Sequence, residues 1–297
     1  MSVAVLGSIN LDLVASVAEL PRPGETVMAT SYARFAGGKG ANQARASAAW
    51  GAPTRMIGAV GVDEAGEFLL GGLADARVDT AGVARLADET TGQALIFVSA
   101  AGENMIVVVG GANQAIGPAA VNVAPLHDCR VFLSQLETPV AAVAALFESE
   151  TARGGVRILN AAPALAQARA LFPLTDILVV NETELERYAG AASSVEAAAR
   201  RLMTRAGQTV IVTLGAAGAV AIDADDRVAV AGRPAAVLDT TGAGDCFCGV
   251  LAAALELGVD LKAALSSANM AASLSTETAG AAAPADLRAR CGALGLS

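Results

Sequence analysis

Histidine is almost absent from this 297-residue chain, with His127 as its single copy. With so little imidazole, most zinc sites and a serine-type triad fall away, since each needs a histidine as ligand or base. Cysteine is scarce too, and Cys129, Cys246, Cys248 and Cys291 follow no metal-ligand spacing. Cys246-x-Cys248 is too close for the usual zinc pair, so reduced, buried thiols are expected. Aromatic residues are only 3% of a chain that is 54% hydrophobic, so the core must be aliphatic, and its many alanines favour close helix packing. No run of lysine or arginine occurs, and the net charge is −9. That balance excludes a general nucleic-acid or anionic-membrane binder, yet a local positive site for an anionic substrate remains open. The longest uncharged run, 104–127, is broken by Gly110, Gly111, Asn113, Gly117 and Pro118 and cannot span a membrane. The opening Ser2-Val3-Ala4-Val5-Leu6-Gly7 is too short for a signal peptide and lacks a basic start. A soluble cytoplasmic protein is expected.

What is present is a rhythm. Aliphatic runs of strand length lie at 3–6, 56–60, 131–134, 156–160, 177–180 and 210–214. Helical stretches at 40–50, 64–76, 140–153, 182–189 and 195–206 separate most of them, and 246–257, 261–276 and 284–294 add helices toward the end. Strand and helix alternating over short loops imply a mainly parallel sheet covered on both faces. The length fits one large α/β domain, 1–297. Regions 11–35 and 91–109 break the rhythm. Gln93-Ala-Leu-Ile-Phe-Val98 and Asn104-Met-Ile-Val-Val-Val109 flank Ala101-Gly102 with hairpin spacing, which predicts strands of a small inserted sheet, a lid. Leu95, Phe97, Ile106 and Val108 alternate along these strands. A ribbon of this kind cannot bury its own faces, so a second copy covering them, a homodimer, is expected.

Two familiar nucleotide loops are missing. After the first strand stands Gly7-Ser-Ile-Asn-Leu-Asp12 rather than a Gly-x-Gly-x-x-Gly turn, and in Gly37-Gly-Lys-Gly-Ala-Asn42 the lysine is followed by glycine, not serine or threonine. The chain carries other glycine turns instead. Asp239-Thr-Thr-Gly-Ala-Gly-Asp245 runs into a helix, whose start offers unpaired N–H groups and partial positive charge to a phosphate or oxyanion. Asp245 then places a carboxylate where it could take a proton from an attacking hydroxyl. The same segment could be a plain glycine turn with an aspartate stabilising the helix. Lys39 and Asn42 suit a hydroxyl-rich ligand, or a solvated loop. Asn10 and Asp12 follow strand one, where ligands gather in open α/β sheets. Glu137 follows the strand at 131–134. Asn181-Glu-Thr-Glu184 could cap a helix, or Glu184 could hold a water on Mg²⁺. Thr213-Leu-Gly-Ala-Ala-Gly218 is one more glycine turn after a strand.

Taken in order, these segments resemble the ribokinase-like (PfkB-type) sugar kinases. Gly7-Ser-Ile-Asn-Leu-Asp12, Pro23-Gly-Glu-Thr26, Gly37-Gly-Lys-Gly-Ala-Asn-Gln43, Thr91-Gly92, Ala94-Leu-Ile-Phe-Val98, Gly102-Glu-Asn104, Gln135-Leu-Glu137, Asn181-Glu-Thr-Glu184, Thr213-Leu-Gly215 and Asp239-Thr240 with Ala243-Gly-Asp245 all match, across nearly the whole chain. The resemblance implies a three-layer α/β/α sandwich with a mainly parallel central sheet and a small β lid that also serves dimer formation. It implies ATP-dependent phosphorylation of a primary hydroxyl, foremost O5 of D-ribose. The alternatives are another sugar, a sugar acid or a nucleoside as acceptor, or a sugar- or nucleotide-binding protein without turnover. Pocket width is expected to depend on lid residues such as Gln93.

Residue by residue, the resemblance makes Asp245 the catalytic base and the amides of Gly242, Ala243 and Gly244 the anion hole. It places the sugar at Asn10, Asp12, Gly38, Lys39, Asn42 and Glu137. It places ATP at Asn181, Gly244, Asn269 and the turn Thr213, Leu214, Gly215, Ala216, Ala217 and Gly218, with Glu184 linked to Mg²⁺. Asp239, Thr241, Ser275, Thr278 and Gly280 match a monovalent-cation loop, for which K⁺ is expected. Three positions depart from the pattern. Ala216-Ala217 stands where Ser-Arg is frequent, Asn269 where a histidine can lie near adenine, and Pro284 where a serine can reach the cation.

Overall fold

The computed structural model describes residues 1–123, 126–281 and 283–294. The chain opens with β1 (Ser2–Leu6), β2 (Asn10–Val17), β3 (Ser31–Gly37) and α1 (Lys39–Trp50), then β4 (Thr54–Gly61), α2 (Glu64–Asp75) and β5 (Val78–Leu86). A hairpin of β6 (Gly92–Ser99) and β7 (Asn104–Val109) follows, and α3 (Ala119–Val123) leads to β8 (Cys129–Ser134). Next come α4 (Val140–Glu148), α5 (Glu150–Arg153), β9 (Val156–Asn160), β10 (Ile177–Asn181), α6 (Glu182–Ala189), α7 (Val195–Leu202) and β11 (Thr209–Thr213). The chain continues through β12 (Gly218–Ile222), β13 (Arg227–Ala231), α8 (Ala243–Glu256), α9 (Leu261–Ser275) and α10 (Leu287–Ala293).

Nine strands form one sheet in the order β13-β12-β11-β10-β9-β8-β1-β4-β5. It is parallel from β11 to β5, while β12 and β13 are antiparallel at one edge. Strand residues alternate between two cores. Val3, Val5, Val131, Leu133 and Val179 pack with α1, α2, α8 and α9 on one face; Ala4, Leu6, Phe132, Leu159 and Val180 pack with α4, α6 and α7 on the other. These layers explain why the runs read as almost wholly apolar.

Several boundaries differ from the sequence expectation for local reasons. The helix expected over 140–153 is broken at Ser149, whose extended backbone (ψ 147°) lets its hydroxyl accept the Ala152 N–H and start α5. The helix expected to run to 206 stops at Leu202, because the Gln208 side-chain oxygen accepts the N–H groups of Thr204 and Arg205 at 2.7 and 3.1 Å. Strands β5, β12 and β13, at the two margins of the sheet, were not evident in the aliphatic pattern: β5 and β13 carry charged residues, and the buried β12 is short, with glycine and alanine around one valine and one isoleucine.

The segments expected to form an inserted sheet do so, in the order β3-β2-β6-β7. Register corrects how its apolar residues are shared. Asp12 stands opposite Phe35 and Ala94, and Ala94 opposite Val108. Val14, Ile96 and Ile106 lie on this same face. Leu13, Leu95, Val107, Phe97 and Met105 lie on the other, so the four alternating residues fall two to a face rather than together. Gln93 pairs with Leu11 and Val109 on the face away from Asp12, and Ala94 is the lid residue beside that carboxylate.

Glycine lets α8 lie against α1. A Cβ at Gly249 would stand 2.7 Å from the Ala46 Cβ and 3.0 Å from the Ser47 nitrogen. Gly249→Val therefore has to part the two helices. Overpacking of this sort costs about 1–3 kcal/mol, or roughly 2–12 °C in melting temperature for a protein of this size. Thermal denaturation followed by circular dichroism should record that fall, and an unchanged midpoint would mean the helices separate freely.

Candidate active site

Parallel strands bring their C-terminal ends to one edge of the sheet. There β1 is followed by Gly7–Asn10, β8 by Gln135–Glu137, β9 ends at Asn160, β10 at Asn181 and β11 at Thr213. The first turns of α1 and α8 arrive at the same edge. α1 approaches closely because Gly40 sits on Gly7, where a Cβ would be 2.6 Å from the Gly7 carbonyl carbon. Gly38, with φ 88°, turns the chain from β3 into α1 beside the backbone of Asn10.

Asp245 lies in the first turn of α8 and is buried. One carboxylate oxygen accepts from Gln43 Nε2 at 2.9 Å and the other from Asn42 Nδ2 at 3.1 Å. Burial raises its pKa, while the Lys39 charge and the Gln43 and Asn42 amides pull the other way and Glu137 adds to the rise. Asp245 in turn raises Lys39 more than burial lowers it, with Glu137 and Glu184 adding to the pull. Glu137 accepts from the Ser8 hydroxyl at 2.5 Å and from the Lys39 N–H at 3.1 Å. Asp12 is pushed up from 3.8 to about 6, first by burial and then by Glu137 and Asp245. Asn10 is held by Asn113, whose Nδ2 donates to the Asn10 Oδ1 at 2.7 Å and whose Oδ1 accepts the Ile9 N–H at 2.9 Å. Among the described residues the buried Asn42 Oδ1 has no donor, leaving an acceptor beside Asp245.

Behind the α8 turn lies a cavity of about 620 Å³, lined by Thr213, Gly215, Ala216, Gly218, Gly232, Arg233, Thr240, Ala243, Gly244, Phe247, Asn269 and Thr276 among others. The lining is mostly apolar, and Arg233 is its one charged side chain. Gly244 leaves its Cβ direction open, and the Ala243 N–H makes only a 3.3 Å contact with the Thr240 carbonyl. A nucleotide with its phosphates toward these amides fits the volume and the exposed backbone. Leu214 instead packs at the margin of a core, and Ala217 faces β13 through its carbonyl, which accepts the Gly232 N–H. Asn269 lines the cavity while donating to the Ala231 carbonyl at 2.8 Å.

Asn181 and Glu184 lie outside that lining and cap α6 reciprocally, at 2.8 and 2.9 Å. Both readings of this segment thus stay compatible, because a capped carboxylate keeps lone pairs for a metal-bound water. Burial raises the Glu184 pKa, against the Asn181 N–H and the Lys39 charge. Among the described residues no cluster of three or more metal-ligating side chains occurs. Asp239 joins two loops: one oxygen accepts the Thr241 N–H and the other the Gly280 N–H, both at 2.9 Å. Burial opposes it, but these bonds hold its pKa below the ordinary value. Ser275 and Thr278 turn their hydroxyls onto the Ala272 and Ser275 carbonyls.

Sequence reading gave roles to most of this cluster but none to Ser8, Asn113, Gln135, Asn160 or Arg233. Their partners lie far away in sequence, so nothing local marks those roles. Ser8, Gln43 and Gln135 were visible only as parts of motifs.

Residues 1–288 match the model of the pfkB family of carbohydrate kinases. A ribokinase of Staphylococcus aureus (strain COL) is 36% identical over 287 residues, covering 94% of each chain. The bifunctional ribokinase/ribose-5-phosphate isomerase A of Fructilactobacillus sanfranciscensis is 38% identical over 288 residues; the match takes in 94% of this chain and 53% of that relative's length. The ribokinase of Arabidopsis thaliana complexed with ribose and ATP has a TM-score of 0.88 at 30% identity, over 100% of this chain and 99% of that one.

The raised pKa of Asp12 is also a statement about stability. The folded state binds the proton more tightly than the unfolded chain, so the carboxyl has no cost below about pH 4, and stability falls as pH rises from there through about 6. Asp12→Asn should therefore raise the melting temperature at pH 8 and leave it unchanged near pH 3.5. Equal shifts at both values would trace the effect to packing instead.

Proposed function

The chain belongs to the pfkB family of carbohydrate kinases, and within it we propose that it phosphorylates O5 of D-ribose with the γ-phosphoryl group of ATP. It is an ATP-dependent sugar kinase. The reading of its chemistry is carried by one arrangement: a buried carboxylate, Asp245, aimed by two amides at the first turn of a helix that Gly242 caps and whose Ala243 and Gly244 line the cavity behind it.

Asp245 takes the proton from the sugar hydroxyl as it attacks. The Gly242–Gly244 amides, with the positive end of α8 behind them, stabilise charge on the phosphoryl group in flight. Phosphoryl transfer is mainly positioning plus charge stabilisation, so little else is needed from the protein. Asn10, Asp12, Gly38, Lys39, Asn42 and Glu137 hold the sugar. Asn113 supports this role by engaging the Asn10 oxygen, which leaves the Asn10 amide as donor to a sugar hydroxyl. The cavity behind α8 holds the nucleotide. Mg²⁺ when bound would neutralise phosphate charge, and Glu184 with Asn181 would hold its waters.

K⁺ would occupy the loops joined by Asp239, whose two N–H bonds leave lone pairs free while tying the anion-hole turn to 275–280. The inserted sheet closes over the sugar as a lid and forms the homodimer contact. Support comes from Ile106, Val107 and Val108, each at least half exposed in the single chain. Four buried free cysteines suit a reducing cytoplasm, and among the described residues no helix is long and apolar enough to cross a membrane.

Asp245→Asn keeps the shape of the base and removes its function, so kcat should fall at least ~10²-fold with little change in substrate affinity. Survival of kcat within a few-fold would take Asp245 out of the chemistry. A coupled assay of ADP release over pentoses, hexoses and nucleosides should give the highest kcat/KM with ribose, and a higher value in K⁺ than in Na⁺ or a bulky organic cation. Turnover of another acceptor in preference to ribose would replace the proposed substrate, and equal rates in all three salts would remove the cation. Light scattering at micromolar concentration should find a dimer that Ile106→Glu dissociates. A monomeric parent protein would contradict the lid contact.

A further inference from the structure

Gln43 touches Asp245 yet has no part in holding sugar, nucleotide or cation. It is fully buried in α1 and makes three hydrogen bonds with its side-chain amide. Its Nε2 donates to the Asp245 Oδ1 at 2.9 Å and to the Asn160 Oδ1 at 3.1 Å, and its Oε1 accepts from Gln135 Nε2 at 2.6 Å.

The direction of these bonds follows from the surroundings. Asn160 Nδ2 reaches the Val179 carbonyl at 3.5 Å, and a backbone carbonyl can only accept. Asn160 therefore turns its oxygen toward Gln43. An ionised Asp245 is likewise an acceptor alone. Gln43 thus meets two acceptors with its two N–H bonds, and its oxygen takes the donor offered by Gln135. A flipped amide would set oxygen against both acceptors and N–H against N–H among buried groups. The polarity of a strand carbonyl in β10 is passed through two side chains to the carboxylate.

We propose that Gln43 is a positioning residue for phosphoryl transfer, presenting a donor of fixed polarity that keeps Asp245 ionised and in one orientation. This inference rests on the reading of Asp245 as the base. Other charged and titratable groups around that carboxylate are Lys39 on α1, Asp12 on β2, Glu137 after β8, Glu184 on α6 and the buried thiols Cys246 and Cys248 on α8. Lys39 favours the ionised form and the carboxylates oppose it. Their effects are set by charge and distance, and they do not fix which way the carboxylate turns. Gln43 and Asn42 do, and Asn42 is shared with the sugar.

The test compares the full-length protein with Gln43→Leu, Gln43→Glu and Asn160→Leu, measuring kcat and sugar KM across pH beside a thermal melt. A hydrogen bond to a charged group corresponds to roughly 10–100-fold. Gln43→Leu should lower kcat by that factor, leave sugar KM within a few-fold, and move the acid limb of the kcat profile to higher pH by about one unit or more. Gln43→Glu should move it in the same sense. Asn160→Leu keeps Gln43 but frees its amide to turn, so a smaller shift in the same direction is expected. An acid limb that stays in place in folded Gln43→Leu overturns the proposal. Where that variant does not fold, an unmoved limb in both of the others does so. Asp245→Asn separates the two readings: if it still turns over, the base assignment falls and this one with it. If it is inactive while the Gln43 variants keep the parent profile, only the role of Gln43 falls.

Discussion

The contact between α1 and α8 governs the rest of this molecule. It places a carboxylate in a helix–helix interface, where an unpaired charge would be severely destabilising. Two amide donors from α1 and the ammonium of Lys39 make that burial tolerable. The interface has to be close for those bonds to form, and glycine at 249, with alanine opposite at 46, makes it close. The same closeness buries the carboxylate, and that burial raises its proton affinity, a property that fits the proposed base.

From this contact the site divides into two chemically different halves. On the β2 side, asparagines, carboxylates and a lysine crowd together, a surface matched to a ligand covered in hydroxyls. On the β11–β13 side the cavity wall is mostly apolar, with threonines, Ser273 and Asn269 interspersed and a single guanidinium among the described residues. Arg233 does not stand free there: Glu277 holds it at 3.0 Å and also approaches Arg290. Glu277 belongs to the loop that Asp239 fastens to the turn before α8, so the cavity wall and that turn share one support.

Much of this was legible in the sequence because the relevant information is local. The helix Glu182–Ala189 and the strand Val156–Asn160 could be read to the residue from apolar runs and a capping box. Glycine turns marked where backbone must approach a ligand. Ser149 was not legible as a helix break, since a serine in an alanine-rich run gives no strong signal. Strands β12 and β13 were hidden for different reasons: β13 is a short alternating segment at the sheet edge, and the buried β12 beside it is built largely of glycine and alanine. The face assignment of the inserted sheet depended on register, which no single strand encodes. Gln43 and Asn113 could not be read as aiming Asp245 and Asn10 for a further reason: Gln43 meets Asn160, and Asn10 meets Asn113, across more than 100 residues.

The row that joins the inserted sheet to the main body runs through Gly37, Asn10 and Gly92, paired side by side. Asn113 clasps this row by bonding to both the N–H and the carbonyl of Ile9. Two of its three members lack a side chain, so the row behaves like the spine of a book, stiff along its length and thin across it. Asn10 is on the spine and Asp12 is on the page. A swing of the inserted sheet about this row would carry Asp12 through an arc and leave Asn10 where it was, so the polar groups of the proposed sugar site would fall into a stationary set and a travelling one.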